Sequence, residues 1–301
     1  MKKAIFIVGP TSVGKTDLAL KISKLLPSIL ISADSVQVYR GADIISGKDK
    51  SVSTYLVDIL SPSQSFSVRE FIEKVRPLVE KAKKENKIPI IVGGTGFYMD
   101  SLFGKIETIN IPPNQKLREK LESLSLEKLQ ENLRNLSPER FNKMNKSDVK
   151  NRRRLVRAIE VSISDRMIDH TKNNSTAVLR ESEVLIIGLK TSMDDLKERI
   201  IARVKKRLKM GAINEAKELF KNYEQLSSQL RKASGYKELF DYLAGKIKLE
   251  EAKEKWVISD YQYAKRQMTW FKKNKNIVWF DIGQPGFEER ILRLIRHEVL
   301  R

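Results

Sequence analysis

Apolar residues along this chain follow two rhythms. Short unbroken runs occur at Ala4–Val8 (AIFIV), Ile29–Ser32 (ILIS), Ile88–Val92 (IPIIV), Val184–Lys190 (VLIIGLK) and Ile277–Asp281 (IVWFD). Runs of this length, bounded by turn residues, predict buried strands. Between them the spacing turns helical. Leu18, Ala19, Ile22, Leu25 and Leu26 share a face after Lys15 and stop at Pro27. Ser67 opens a helix of about 20 residues that aligns Phe71, Val75, Leu78 and Val79, with Pro77 as a candidate kink. The second strand ends in Ala33 and Asp34, the third in a Gly93-Gly94 turn. Strand and helix in alternation predict an α/β fold built on a parallel sheet flanked by helices.

From about Pro112 to Asn173 the strand signal disappears, and segments such as LREKLESL, LEKLQENL and NRRRLVRAIEV read as charged amphipathic helices. The expected organisation is a core of residues 1–111 and 184–301 interrupted by an all-helical insert, 112–183. Basic helices are expected from Met193 to Met210 and from Glu250 to Lys273, with a closing helix from Glu288 to Leu300. Trp270 and Phe271 fall at core spacing.

Composition narrows the chemistry. The 301 residues contain no cysteine, which removes disulfides, zinc knuckles and thiol catalysis. The two histidines, His170 and His297, stand far apart, so neither forms a metal cluster. No run approaches the roughly 18 apolar residues of a membrane span, so a cytosolic protein with no membrane partner is expected. With 58 lysines and arginines against 38 acids the net charge is +20, which favours a polyanionic partner such as nucleic acid.

GPTSVGKT, comprising Gly9, Pro10, Thr11, Ser12, Val13, Gly14, Lys15 and Thr16, fits G-x-x-x-x-G-K-[ST] between a strand and a helix. There the backbone N–H groups turn onto phosphate oxygens, Lys15 adds charge, and Thr16 offers its hydroxyl to Mg²⁺. The sheet is therefore expected to be P-loop NTPase-like. By itself the loop points first to an NTPase or small-molecule kinase, with Asp34 as an acid for Mg²⁺.

The blocks around it change that picture. SADSVQVYRGADIISGK (Ser32–Lys48), LVDILSPSQSFSV (Leu56–Val68), IPIIVGGTGFYMDSL (Ile88–Leu102), RRLVRAIEV (Arg153–Val161), GYKELFDYLAG (Gly235–Gly245) and AKRQMTWF (Ala264–Phe271) occur in order. Together with the phosphate loop they resemble the tRNA dimethylallyltransferase family, in its bacterial type, over nearly the whole chain. The resemblance implies transfer of a dimethylallyl group from dimethylallyl diphosphate to N6 of adenine 37 in the tRNA anticodon loop, with Mg²⁺ as cofactor. It implies a monomer that holds the tRNA anticodon stem-loop. A related alternative is an adenylate isopentenyltransferase acting on free AMP, ADP or ATP.

Carried onto this sequence, the family pattern makes Asp34 the general base, Thr95 a residue near the reactive centre, and Arg203 the arginine on the diphosphate. Arg199 competes with Arg203 on spacing alone. It assigns tRNA contacts to Asp34, Ser35, Val36, Gln37, Thr95, Arg118, Arg153, Arg154, Leu155, Val156, Arg157, Gly235, Tyr236 and Lys237. Ser35 and Gln37 are candidates to bond the adenine edge, and Tyr236 to stack on a base. Three segments depart from the pattern. Where the family reads DIGTAK this chain has DIISGK at Asp43–Lys48; SVSTY replaces a segment with histidine before LVDI; SDRM stands at Ser164–Met167 in place of a TGK-like turn.

Overall fold

The computed structural model describes residues 2–165 and 177–300; His170 and the end of SDRM lie outside them. Two compact units emerge, Met1–Phe103 with Ala177–Arg301, and Gly104–Thr176.

The first unit is built on five parallel strands, β1 (Ala4–Val8), β2 (Ser28–Ser32), β3 (Ile88–Val92), β4 (Val184–Lys190) and β5 (Ile277–Asp281), in the order β2-β3-β1-β4-β5. β1 pairs Ile5 with Ile90 of β3 on one side and with Leu185 of β4 on the other. All five β1 residues are buried, which explains its unbroken apolar run. Helices α1 (Lys15–Ser23), α2 (Val68–Lys84) and α3 (Gly96–Leu102) belong to this unit. Ser67 and Glu70 close α2 with a reciprocal capping box, and the helix continues through Pro77. The chain leaves β1 toward β2 at one edge and leaves β3 toward β4 on the other side. The loops after these two neighbouring strands therefore diverge, and such divergence leaves a crevice at the strands' carboxyl ends.

The second unit contains α4 (Gln115–Glu122), α5 (Leu126–Leu136), α6 (Pro138–Lys143) and α7 (Arg152–Asp165). Its core is Leu121, Leu129, Leu133, Leu155, Val156 and Ile159. The insert begins at Gly104, ahead of the expected residue 112, and closes at Thr176, ahead of 183. The reason is local. Arg157 donates to the Thr108 and Ile111 carbonyls at 2.7 Å, tying that stretch to α7. At the other end the Val178 and Leu179 N–H groups donate to the Leu102 carbonyl, and Leu179 is buried.

Two 3-10 turns, Glu181–Glu183 and Tyr223–Gln225, and helices α8 (Met193–Lys209), α9 (Ala212–Phe220), α10 (Ser228–Arg231), α11 (Tyr236–Leu243), α12 (Leu249–Phe271) and α13 (Phe287–Glu298) also belong to the first unit. α8 and α12 pack together. α12 buries Trp256, Asp260, Ala264, Gln267 and Phe271. Phe271 is core as expected, whereas Trp270 is exposed and its indole N–H donates to Asp100 at 2.8 Å.

Candidate active site

The phosphate loop sits between β1 and α1 with three residues in the left-handed region, Gly9 at φ 137°, Ser12 at 68° and Gly14 at 83°. Glycine is required at Gly9, because a Cβ there would overlap the Leu189 carbonyl oxygen. Thr11 is anchored from two sides. Its N–H donates to Gln267 Oε1 at 2.8 Å, and its hydroxyl accepts from Arg203. Gln267, 5% exposed, also donates to the Gly94 carbonyl at 2.9 Å, so one amide from α12 joins the turns after β1 and β3.

Arg203 donates to Asp260 at 2.7 Å, and Ser234 donates to the other Asp260 oxygen at 2.7 Å. Asp260 is only 4% exposed, and its ion pair explains why α12 buries a carboxylate. The choice between Arg199 and Arg203 is decided by the helix face. Leu196, Ile200 and Val204 form the buried stripe of α8; Arg203 flanks it, while Arg199 is exposed. Lys15 Nζ donates to the Pro10 carbonyl at 2.5 Å. Burial, reinforced by the Arg203 charge and opposed by Asp34, lowers the Lys15 ammonium to about 7.

Asp34 follows β2 with one oxygen fixed. Oδ1 accepts from Val36 N–H at 2.8 Å and Gln37 N–H at 3.3 Å, and Oδ2 has no hydrogen-bond partner among the described residues. Asp34, Ser35 and Val36 line a cleft of about 480 Å³ with Thr11, Arg203 and Tyr263. Burial, together with the Asp34 charge, pushes the Tyr263 phenol up to about 12, so it stays a neutral donor. Thr95 sits at the start of α3 without a side-chain cap bond, and its hydroxyl interacts with that of Tyr263.

Several predicted contacts are placed elsewhere. The Gln37 amide is occupied internally, accepting from Ser32 Oγ at 2.8 Å and donating to the Ser46 and Gly47 carbonyls, so it is not free to read a base edge. The Tyr236 ring is fully buried and its hydroxyl donates to Glu215 at 2.7 Å, which removes it as a stacking platform. Gly235 caps α11 through Glu238, while Lys237 is exposed on the cleft wall. In the insert, Leu155 and Val156 are core, so their side chains cannot meet RNA. Arg118 and Arg157 clamp the buried Glu160, Arg118 with two bonds of 2.9 and 2.8 Å and Arg157 with one of 2.5 Å. Arg154 pairs with Asp148, and Arg153 is exposed. Arg118, Arg154 and Arg157 nevertheless keep 35%, 56% and 31% of their side chains exposed beside Arg153.

The model of the family described as IPP transferase matches residues 37–274, and a family described as isopentenyl transferase matches residues 2–55. A tRNA dimethylallyltransferase of Anoxybacillus flavithermus is 35% identical, aligned over 99% of this chain and 96% of that protein. This chain belongs to the tRNA dimethylallyltransferase family. Among solved structures, the full-length tRNA isopentenylpyrophosphate transferase of Bacillus halodurans superposes with a TM-score of 0.72 at 33% identity, covering 99% of this chain and 97% of that one. A eukaryotic dimethylallyltransferase acting on tRNA gives a TM-score of 0.79 at 25% identity over 98% of this chain and 78% of that one.

Within this dimethylallyltransferase-family chain, four residues that hold the cleft or the turns around it were given no role by the motifs. Asp260 and Gln267 are polar residues on the buried stripe of α12, at spacings 256, 260, 264, 267 and 271, and that anomaly was the available signal. Glu215 accepts from three successive N–H groups, Asp43, Ile44 and Ile45, at 2.8, 2.5 and 3.0 Å, and so holds the turn of the DIISGK block. Lys48, with no side-chain exposure, ties the same block through Asp43 and Asp58 at 2.8 and 2.6 Å.

Proposed function

We propose that this chain transfers a dimethylallyl group from dimethylallyl diphosphate to N6 of adenine 37 in the anticodon loop of tRNA, releasing diphosphate. The observation that carries this reading is the meeting, in one cleft, of a phosphate loop braced by Arg203 with a carboxylate whose second oxygen is free.

The allylic C–O bond breaks as N6 attacks the carbon, and both partners need assistance. Charge grows on the leaving diphosphate. Lys15, Arg203 and the N–H groups at the start of α1 would stabilise it there. Two buried atoms without partners, Ser12 Oγ and Arg203 Nε, support a polar ligand at this place. The exocyclic amine is a poor nucleophile because its lone pair is delocalised into the ring, and Asp34 Oδ2 would take its proton during attack. Holding Oδ1 on two N–H groups orients the other oxygen without blocking it. The neutral Tyr263 phenol lines the cleft and interacts with the Thr95 hydroxyl.

Mg²⁺ fits the residues present. Among the described residues there is no cluster of three acidic, histidine or cysteine ligands. A hydroxyl beside a diphosphate nevertheless suits Mg²⁺, which takes phosphate oxygens and water for most of its shell. Thr16, with no hydrogen bond to its hydroxyl among the described residues, would hold it, and the ion would neutralise leaving-group charge. We further propose that the protein acts as a monomer in the cytoplasm. No helix among the described residues is long and apolar enough to cross a membrane.

The test offers the protein labelled dimethylallyl diphosphate and Mg²⁺ with either unmodified tRNA or free adenine nucleotides. Label in tRNA is expected. Label only in the nucleotides would assign the chemistry to a small acceptor, and label in neither would remove the proposal.

A further inference from the structure

Arg207 lies four residues beyond Arg203 on α8 and lines the same cleft. Unlike Arg203 it makes no hydrogen bond or ion pair with any described residue. It is half-buried, and desolvation, with the Arg203 charge added, lowers its guanidinium to about 10, which still leaves it charged at neutral pH. Of the three carboxylates on the cleft wall only Asp34 keeps an unpaired oxygen, its other oxygen being held by the Val36 and Gln37 N–H groups. Asp260 is held by Arg203 and Ser234, and Glu238 by the Gly235 N–H and Ser259. The cleft wall carries five cations, Arg203, Arg207, Lys232, Lys237 and Arg266, against three carboxylates, Asp34, Asp260 and Glu238. A half-buried guanidinium beside a like charge is stabilised when an anion joins it.

The space for this group is made by Gly47. A Cβ on Gly47 would overlap the Arg207 Nη2 atom and stand 3.2 Å from its Cζ. Gly47 is at φ 71°, and its carbonyl accepts from Gln37, so the turn cannot simply slide away. This is the position at which DIISGK carries glycine where the family pattern carries alanine. The departure in the loop and the free guanidinium on α8 thus meet at one contact.

We propose that Arg207, admitted by Gly47, is an additional binding residue for the donor's diphosphate, beside Arg203. The proposal rests on the prenyl-transfer reading and deepens it by adding a group to the leaving-group site. A planar guanidinium can grip two phosphoryl oxygens at once, so lysine would replace it only in part.

The test is calorimetric titration of the full chain with inorganic diphosphate and, separately, with unmodified tRNA, for wild type, Arg207→Met, Arg207→Lys and Gly47→Ala. Arg207→Met is expected to weaken diphosphate binding by about tenfold to a hundredfold, as for loss of a charge-assisted bond. Arg207→Lys should lose less, and Gly47→Ala should fall with the methionine variant because it displaces the guanidinium. Affinity for tRNA should change less than about twofold, which is roughly one phosphate contact or fewer. Arg207→Met should melt no lower than wild type, since it relieves like charge against Arg203; should it fail to fold, Arg207→Lys against Gly47→Ala decides. Unchanged diphosphate affinity in a folded Arg207→Met overturns the proposal, and so does a loss confined to tRNA. If wild type binds diphosphate and Arg207→Met does not, yet no acceptor is prenylated, the transfer reading fails while the role of Arg207 stands.

Discussion

Replacing Lys15 with methionine should stabilise the free protein while abolishing its affinity for diphosphate. The ammonium falls from its ordinary 10.5 to about 7 because burial, and then Arg203, oppose its charge. At 1.36 kcal/mol per pH unit that gap corresponds to at most roughly 5 kcal/mol of native-state penalty for the charged form, most of it present at pH 7. The variant forfeits the 2.5 Å bond to the Pro10 carbonyl, a loss of about 1 kcal/mol. A net gain of roughly 2–4 kcal/mol at pH 7 is therefore expected from urea unfolding. The pH dependence has a definite sign. Between pH 7 and 10.5 the unfolded chain holds more protons on this group than the native one, so wild type should gain stability relative to the variant as pH rises. The gap between the two proteins should narrow by pH 9.5. Saturating inorganic diphosphate at a hundred times its dissociation constant should add about 2.7 kcal/mol to wild type and nothing to the variant. A methionine variant less stable than wild type at pH 7, with a gap insensitive to pH, would refute the reasoning.

Three further perturbations probe the rest of the structure. Asp34→Asn keeps the turn's acceptor oxygen but not the base, so single-turnover transfer should slow by roughly a hundredfold to ten-thousandfold while diphosphate affinity holds; normal transfer would remove Asp34 from the base role. Gln267→Ala leaves the Thr11 N–H and the Gly94 carbonyl without their partner and should cost about 2–3 kcal/mol in urea unfolding, with a raised donor KM. Glu160→Ala strands Arg118 and Arg157 and should loosen the insert by roughly 3–5 kcal/mol, seen as faster amide exchange in α4 and α7; unaltered exchange would show that the clamp is dispensable.

The framework was legible because its signals are local. β1, β3, β4 and β5 have the bounds their apolar runs predict, and the capping box of α2 is written in Ser67 and Glu70. The phosphate loop is legible for the same reason, since its glycines answer to backbone geometry within eight residues. What stayed hidden depends on which side chain satisfies which distant group. Tyr236 looks like a stacking ring until Glu215, itself demanded by three bare N–H groups, claims its hydroxyl. Nothing in the sequence around Arg118 and Arg157 shows that both also serve the buried Glu160. The arginine on α8 lay between these cases. Spacing left Arg199 and Arg203 open, whereas the stripe Leu196, Ile200 and Val204 places Arg203 at the core's margin.

The phosphate loop is a common device, and its rim determines what it serves. Here the Thr11 N–H already donates to Gln267, and the Thr11 hydroxyl already accepts from Arg203. The loop's first residues are thereby closed by helices from the far end of the chain. The remaining opening leads past Asp34, Tyr263 and Arg207. An allylic carbon losing diphosphate reacts with whatever nucleophile is admitted, so a transferase must select the nucleophile rather than merely activate the leaving group. A single carboxylate oxygen, held in direction by the two N–H groups on its twin, suits an amine that must give up a proton as it attacks. An excess of positive charge around that oxygen favours an acceptor that brings phosphates with it, as a base within an RNA does and a neutral small molecule does not.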